Sequence, residues 1–260
     1  MTFREDPQMC FDLNASPPLP PVSGGALTSR HLVLEAADGN RFAAYEAHPE
    51  GEAVASIVVL PDVRGLFSFY HELADRLASA GHHALAIDYF GRTAGLGQRD
   101  ADFAYKDHVA LTTADGVLAD TTAAVAHLRS TAPDRPVFTL GFCFGGSNSW
   151  NQAAAGHGLA GATGFYGDPV RERNPGEGSP LDRVADMTAP VLALMAGDDA
   201  GIPPEAVDRF EAALAAAGVE HEIVTYPGAP HSFFDRQQEQ FASESADAWQ
   251  RVLEFITAHS

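Results

Sequence analysis

The sequence predicts a single α/β domain with a mostly parallel central sheet and helices on both faces. Short apolar runs rich in β-branched residues alternate with helix-like stretches along most of the 260 residues, and such alternation is typical of parallel sheets. Some runs, such as residues 56–60, are almost entirely apolar, as expected for strands that are buried on both faces. The length suits one domain of this class, which commonly has about 200 to 250 residues.

The elements follow one another in a regular order. Asp38-Gly39-Asn40 is a strong turn signal between two strand-like runs and predicts an antiparallel hairpin at the edge of the sheet. The predicted strands are residues 31–35, 41–47, 56–60, 84–88, 137–140, 162–165, 191–195 and 220–226, and the predicted helices are residues 67–80, 114–129, a segment after Gly145, 205–217 and 238–258. Gly81 is expected to end the first helix. The irregular stretch 168–188 either borders a pocket or is a plain surface connection.

The N-terminal segment differs from the rest of the chain. Residues 1–29 form a Pro-rich extension, either a strap over the domain or a disordered tail, and residues 30–260 form the predicted domain. The extension has no apolar run long enough for a signal peptide or a membrane anchor. Only two cysteines occur, Cys10 and Cys143, so a disulfide framework is not expected. These features predict a cytoplasmic protein.

Composition narrows the possible partners. The 35 acidic and 16 basic residues give a formal charge of −19, which disfavours nucleic acids and anionic membranes. Local arginines can still bind an anionic small molecule, because salt screens exposed charges beyond about 8 to 10 Å. The histidines show no paired metal-ligand spacing, so neither a metal nor another cofactor is predicted. Monomer and homodimer both stay open.

One glycine-rich turn has the features of a nucleophile elbow. Gly141-Phe142-Cys143-Phe144-Gly145-Gly146 follows a predicted strand and opens a helix, with cysteine in the place of the usual serine. Glycines are needed around such a sharp turn because side chains there would collide with the sheet. The positive end of the helix favours the thiolate. The alternative is a structural, buried cysteine.

Two later loops supply the residue types that activate a nucleophile. Asp198 and Asp199 follow the strand 191–195, and His231 follows the strand 220–226. The order nucleophile, acid, histidine, with all three on loops after strands, is that of α/β-hydrolases. Spacing alone does not choose between the two aspartates, and either can instead cap the next helix. The alternative for His231 is a surface histidine.

At these residues the sequence resembles the dienelactone hydrolase family, α/β-hydrolases that open enol-lactones with a cysteine nucleophile. The likeness extends from about residue 30 to the C-terminus, and Tyr166-Gly167 also matches. It rests on the three motifs Gly141-Phe-Cys-Phe-Gly-Gly146, Gly197-x-Asp199-x-x-Ile-Pro203 and Ala229-x-His231-Ser-Phe233. The resemblance selects Asp199, because the family's acid stands four residues before the proline.

The resemblance also assigns roles to the loop after the first parallel strand. Asp62 takes the place of a family glutamate that contacts the resting thiol and helps to deprotonate it; its alternative role is to cap the loop. The backbone N–H groups of Val63 and Phe144 correspond to the family's oxyanion hole.

Family members hold the substrate carboxylate with two arginines. Arg92 matches the first, and Tyr89 of the same segment is also assigned to substrate binding. Asp235 stands at the second position with Arg236 beside it, which departs from the family. Arg64 either substitutes as a local cation or is an exposed, solvated arginine.

Together these residues predict a carboxylic ester hydrolase. Cys143 would attack a lactone or ester carbonyl, and water assisted by His231 would release the acid from a thioester. One rival is a general carboxylesterase or thioesterase of different acyl specificity. The other is a catalytically silent ligand-binding protein on the same fold.

Overall fold

A computed structural model describes residues 16–17, 27–100, 102–174, 176–235 and 239–260, and it confirms the predicted fold class. One sheet of eight strands has the order β1-β2-β4-β3-β5-β6-β7-β8. The strands are β1 (Leu27–Glu35), β2 (Arg41–Pro49), β3 (Ser56–Leu60), β4 (His83–Ile87), β5 (Val137–Phe142), β6 (Gly161–Phe165), β7 (Val191–Ala196) and β8 (His221–Tyr226). The strands β3 to β8 run parallel to one another. The strands β1 and β2 form the predicted antiparallel hairpin, and β2 also pairs antiparallel with β4.

Helices cover both faces of this sheet. They are α1 (Ser68–Ser79), α2 (Gly91–Ala94), α3 (Tyr105–Leu111), α4 (Ala114–Thr131), α5 (Phe144–Ala153), α6 (Pro204–Ala217) and α7 (Ala242–Ala258), with a 3-10 helix at Leu181–Asp186. Successive residues of β3 alternate between two hydrophobic clusters: Ile57 and Val59 pack with α1 and α7, whereas Val58 and Leu60 pack with α4, α5 and α6. The apolar run of β3 is therefore buried from both sides, as its composition predicts.

The ends of several helices follow from local chemistry. The Thr113 side chain accepts a hydrogen bond from Gly116 N–H at 3.1 Å and caps α4. Pro204 occupies the first turn of α6, and Gly218 ends that helix in a left-handed conformation. Gly81 follows the last turn of α1 with φ +92°, which confirms its predicted role as the stop. None of the helices in the described ranges is long and apolar enough to cross a membrane.

The differences from the predicted elements lie at their ends and in polar stretches. The strand β1 begins at Leu27, before the predicted domain boundary at residue 30, because its first residues pair with β2 as far as Pro49. Most of the Pro-rich extension lies outside the described residues. The short helices α2 and α3 and the 3-10 helix were not predicted, because they are polar and lack an apolar face of helical period. The last helix begins at Ala242 rather than at residue 238, which lies outside the described residues.

Candidate active site

The turn after β5 has the geometry of a nucleophile elbow. Cys143 has φ +54° and ψ −113° between the end of β5 and the start of α5, and its side chain is half-buried. A Cβ atom on Gly141 would lie 1.9 Å from the Gly145 carbonyl oxygen, and one on Gly145 would lie 2.0 Å from the Leu60 carbonyl oxygen. Only glycine therefore fits on either side of this strained cysteine, which is the physical reason for the motif.

The loops after β7 and β8 bring the predicted acid and histidine together. His231 Nδ1 lies 2.6 Å from Asp199 Oδ2, and the other carboxylate oxygen accepts a hydrogen bond from Gly201 N–H at 2.8 Å. The Asp199 side chain is only 4% exposed. Asp198 is exposed, and its N–H donates to the Ala229 carbonyl at 2.9 Å, which ties the two loops to each other. The geometry thus pairs Asp199, rather than Asp198, with the imidazole.

His231 also interacts with Cys143. Burial lowers the pKa of the imidazole, but the negative charge of the Cys143 thiolate and hydrogen bonds to Asp199 and Cys143 outweigh burial and raise that pKa well above its usual value. The ring of Tyr166 packs against the imidazole with centroids 4.9 Å apart. His231 therefore interacts with both Asp199 and Cys143, in contrast to the alternative of an isolated surface histidine.

Asp62 is completely buried in the loop that follows β3. Its Oδ1 accepts a hydrogen bond from Arg64 N–H at 2.9 Å, and its own N–H donates to the Tyr70 hydroxyl at 2.7 Å. The first bond is the loop cap that the sequence offered as the alternative role. The next residue, Val63, is half-buried, and Phe144 is the first residue of α5, where a backbone N–H has no partner within the helix. The roles of these two amides in catalysis stay predictions.

Tyr89 does not line the surface, so its predicted contact with substrate needs correction. Its side chain is 1% exposed, and the hydroxyl donates to the carbonyl oxygens of Pro61 and Asp62, the latter at 3.0 Å. Burial, followed by the charge of Asp62, raises the pKa of this hydroxyl well above its usual value, so it stays a donor. Tyr89 supports the loop after β3 from below.

Arg92 is also placed differently from the prediction. Its Nε and Nη2 atoms bind the two carboxylate oxygens of Asp120 at 3.1 and 2.8 Å, and Nη1 and Nη2 bind Asp38 in the hairpin turn. The guanidinium thus binds two carboxylates and links the hairpin to α4. A substrate carboxylate would have to displace them, so the assignment of Arg92 to substrate binding is corrected.

Arg64 and Asp235 are buried parts of the framework. Arg64 is 4% exposed, and its guanidinium carbon lies 4.3 Å from the centroid of the Phe67 ring. This burial excludes the solvated alternative and does not support contact of its guanidinium with substrate. Asp235 is 1% exposed and accepts a hydrogen bond of 2.7 Å from the Tyr166 hydroxyl. Arg236, beside it in sequence, lies outside the described residues.

Sequence reasoning missed one cation near the thiol. Arg173 lies in the stretch after β6, with its guanidinium carbon 4.1 Å from the centroid of the Phe144 ring. Burial lowers the pKa of Arg173, and the charge of Cys143 opposes this shift, so the two groups interact electrostatically. Arg171 and Arg173 line a cleft beside Phe144, so the stretch borders a pocket. The only local signal was a pair of arginines two positions apart after a strand.

Chemically, the arrangement holds a thiol, an imidazole and a carboxylate in series at the carboxyl ends of parallel strands, where ligands bind in such sheets. Within the described ranges, no group of three or more histidine, cysteine or acidic side chains is arranged to hold a metal ion.

Comparison with known proteins then decides the family. The model of the dienelactone hydrolase family matches residues 42–260. The chain belongs to this family. The match confirms the resemblance drawn from the three motifs and the prediction of a hydrolase that acts on ester or lactone bonds.

Individual members of the dienelactone hydrolase family are similar to this chain along most of their length. A Methylorubrum extorquens protein named "Putative carboxymethylenebutenolidase" is 32% identical over 219 residues, which cover 82% of this chain and 75% of the relative. A Salmonella typhi protein of the same name is 31% identical over 227 residues, covering 85% and 84%. The crystal structure of "Putative Dienelactone Hydrolase from Klebsiella pneumoniae subsp. pneumoniae MGH 78578" superposes with a TM-score of 0.79 at 29% identity, covering 89% of this chain and 99% of the other. The α/β-hydrolase fold is thereby confirmed.

Proposed function

We infer that this hydrolase opens ester or lactone bonds through a Cys143–His231–Asp199 triad and a thioester intermediate. The single observation that carries the inference is the position of His231, whose Nδ1 lies 2.6 Å from Asp199 Oδ2 and which also interacts with Cys143. An imidazole held in this way can exchange protons with the reacting groups while the carboxylate keeps its orientation.

The reaction proceeds in two steps, acylation of Cys143 and hydrolysis of the thioester. The thiolate attacks the carbonyl carbon, and the oxyanion that forms accepts hydrogen bonds from the N–H groups of Val63 and Phe144. The carbon–oxygen bond of the ester then breaks, and the leaving oxygen takes the proton of the His231 imidazolium. His231 next removes a proton from water, which attacks the thioester, releases the carboxylic acid and restores the thiolate.

A thiolate nucleophile favours substrates with good leaving groups. The tetrahedral intermediate reverts by expelling sulfur unless the departing oxygen leaves easily, as an enolate does. Enol-lactones are therefore better substrates than alkyl esters. Before the first step, Asp62, buried in the adjacent loop, would help to move the thiol proton from Cys143 to His231, in the role of the family glutamate.

The arginine positions support a second candidate function, the hydrolysis of esters or thioesters with a different acyl group. Arg92 is bound to Asp38 and Asp120, and Asp235 stands where the family has its second arginine. The first family arginine is thus kept but bound by two carboxylates, and the second is replaced by an aspartate. This observation favours a carboxylesterase or thioesterase with a different acyl group over the dienelactone itself.

The test uses Cys143→Ala and Cys143→Ser with 4-nitrophenyl acetate and a dienelactone. We expect the alanine variant to lose at least about 10³-fold in kcat on both substrates. Acid quenching of the wild-type protein during turnover should leave an acyl group on the Cys143 peptide, visible by mass spectrometry. Full turnover by the alanine variant would refute the triad, and a wild-type protein inactive on all esters and thioesters would favour the silent, ligand-binding alternative.

A further inference from the structure

The strongest unassigned feature is Arg173, which the stretch after β6 places beside the nucleophile elbow. Its guanidinium carbon lies 4.1 Å from the centroid of the Phe144 ring. Phe144 directly follows Cys143, is the first residue of α5, and is 1% exposed. Because a guanidinium is attracted to the face of an aromatic ring, the buried ring helps to fix its position. A cation is therefore held against the residue next to the thiol.

No acidic side chain neutralises this cation. Within the described ranges, the Arg173 side chain forms no ion pair and no hydrogen bond. Glu177 lines the same cleft, but its carboxylate accepts a hydrogen bond from Asn174 Nδ2 at 2.9 Å. Arg92, by comparison, binds two carboxylates. The positive charge of Arg173 therefore acts on other groups nearby.

Cys143 is one of the groups on which Arg173 acts. Burial lowers the pKa of Arg173, and the charge of the Cys143 thiolate is the largest cause that opposes this shift. Tyr89 interacts with both groups: burial and then the charge of Asp62 raise the pKa of its hydroxyl, whereas Arg173 lowers that pKa. The charge of Cys143 raises it again. The Tyr89 and Phe144 rings have centroids 5.3 Å apart, so guanidinium, thiol and phenol surround one buried aromatic ring.

The other charged groups in this region do not replace Arg173. They are His231, Asp199, Asp62, Asp88, Asp168 and Arg171, of which Arg171 is exposed. The negative charge of Asp62 disfavours a second negative charge beside it. His231 is positive only while it holds a proton, and the proposed reaction moves that proton to the leaving oxygen. An arginine stays charged throughout. Arg173 can therefore balance the negative sulfur at the stages when His231 is neutral.

We propose that Arg173 is a positioning residue that stabilises the Cys143 thiolate through its positive charge, without touching the substrate. The proposal rests on the function proposed above and adds one residue to that site. When the thiol proton passes to His231, the guanidinium keeps all its protons and favours the negative sulfur. When water attacks the thioester, the carbon–sulfur bond breaks, and the same charge favours departure of the thiolate. Arg173 thus assists both steps.

The first experiment measures the thiolate without hydrolysis. Iodoacetamide, a neutral reagent, alkylates Cys143 over a series of pH values, and mass spectrometry of the Cys143 peptide gives the rate. The midpoint of the rate–pH profile reports the thiol pKa, because only the thiolate reacts. We expect this midpoint to rise by about one pH unit or more in Arg173→Gln and by much less in Arg173→Lys, which keeps the charge. The limiting rate at high pH should stay within about threefold of wild type, whereas a change in packing alone would alter that rate and leave the midpoint in place.

The matched control is Arg183→Gln, which removes a positive charge from the same stretch. The Arg183 side chain donates to the Glu177 carbonyl at 3.0 Å and is not among the charged groups around the thiol. Its midpoint should lie within about 0.3 of wild type. An unmoved midpoint in Arg173→Gln, or an equal rise in Arg183→Gln, overturns the proposal. If Arg173→Gln does not fold by circular dichroism, Arg173→Met takes its place, because it removes the charge and keeps an apolar contact with Phe144.

A second measurement separates the arginine from the histidine. In His231→Gln the imidazole is absent, so the alkylation profile reports the thiol alone. Adding Arg173→Gln to this variant should again raise the midpoint by about one pH unit. A rise seen only when His231 is present would show that Arg173 acts through the imidazole, and the proposed action on the sulfur would be wrong.

Turnover distinguishes this proposal from the proposed function. The substrate is 4-nitrophenyl acetate, which is neutral, so contact between the guanidinium and a substrate anion plays no part. We expect kcat/KM of Arg173→Gln to be about tenfold below wild type at pH values under the wild-type midpoint and to approach wild type at high pH. If wild type hydrolyses no ester while the alkylation midpoint still depends on Arg173, the role of Arg173 stands and the proposed function fails. If wild type hydrolyses the ester through Cys143 and Arg173→Gln has the same pH profile, the function stands and the role of Arg173 fails.

Discussion

Tyr89 lies beneath the loop after β3, and its hydroxyl donates a hydrogen bond of 3.0 Å to the carbonyl oxygen of Asp62. Because the same hydroxyl also bonds to the Pro61 carbonyl, one buried side chain holds the two residues that precede Val63. The position of the proposed oxyanion donor therefore depends on a residue from the next strand's loop.

Replacement of Tyr89 by phenylalanine tests this support. We expect Tyr89→Phe to lower kcat about tenfold, to change KM by less than about twofold, and to cost about 1 kcal/mol of stability, because the freed loop no longer holds the Val63 N–H in place. Steady-state kinetics and urea denaturation measure these effects. Tyr226→Phe is the control, since that hydroxyl bonds to Asp247 at 2.8 Å on α7. Equal losses of kcat in both variants would argue against a special role for Tyr89.

Asp198 and Asp199 are neighbours in sequence, so the same substitution at each tests which one is the catalytic acid. Asp199 is bonded to His231 and Asp198 is exposed, so Asp199→Asn should lower kcat/KM about 10² to 10⁴-fold, while Asp198→Asn should change it by less than about threefold. The amide cannot stabilise the imidazolium as the carboxylate does. Turnover of 4-nitrophenyl acetate provides the measurement. The assignment of the acid is wrong if Asp198→Asn has the larger effect.

The environment of Glu46 predicts how the free energy of unfolding depends on pH. This carboxylate is 2% exposed and accepts from His83 at 3.0 Å, His127 at 2.7 Å and Arg30 at 2.7 Å. The hydrogen bond from His83 comes first among the causes that hold its pKa well below the usual range; burial opposes the shift, and His127 and Arg30 add to it. Because the pKa of Glu46 is lower in the folded state than in the unfolded state, the ionised carboxylate stabilises the fold at pH values above about 4.3, the usual pKa of glutamate. This stabilisation is lost as the pH falls from there toward the folded-state pKa.

We therefore expect Glu46→Gln to cost about 1 to 3 kcal/mol at pH 7, because the amide has only one oxygen to accept hydrogen bonds and loses the negative charge that accepts from His83, His127 and Arg30. The difference from wild type should shrink as the pH falls below about 4. Urea denaturation at a series of pH values measures it. Glu222→Gln is the control at an exposed pair with Arg251 and should cost less than about 1 kcal/mol. A constant difference between Glu46→Gln and wild type across the series would contradict this account.

Gly145 tests the packing of the elbow. A Cβ atom there would meet the backbone of Leu60 at 2.0 Å, and neither backbone can move without displacing β3 or α5. Gly145→Ala should therefore lose at least about 1 to 3 kcal/mol and most of its activity. Gly51→Ala, whose Cβ would meet nothing within 4 Å, should be neutral in thermal denaturation and in turnover. Wild-type behaviour of Gly145→Ala would show that the turn is not under this constraint.

The general architecture could be predicted because its signals are local. Alternating apolar strands and helical segments specify a parallel sheet, and each predicted triad residue directly follows a strand of that sheet. Since parallel strands end on the same side, residues in three distant segments, Cys143, Asp199 and His231, had to meet at one edge. The choice of Asp199 came from a family motif, and the hydrogen bond to His231 agrees with it.

The burial and the bonding partners of individual side chains depend on the tertiary structure. Arg92 binds Asp38 and Asp120, residues far away in sequence, and Tyr89 and Arg64 are buried under loops whose paths the sequence does not reveal. Arg173 reaches Phe144 from an irregular stretch that has no periodic pattern. The amino-acid sequence by itself determined the sheet, the elbow and the chain order of the chemical groups, because these depend on short-range patterns of polarity and backbone freedom. Only the folded chain decided which cations face the thiol and which are neutralised, because ion pairing and burial depend on contacts between distant segments.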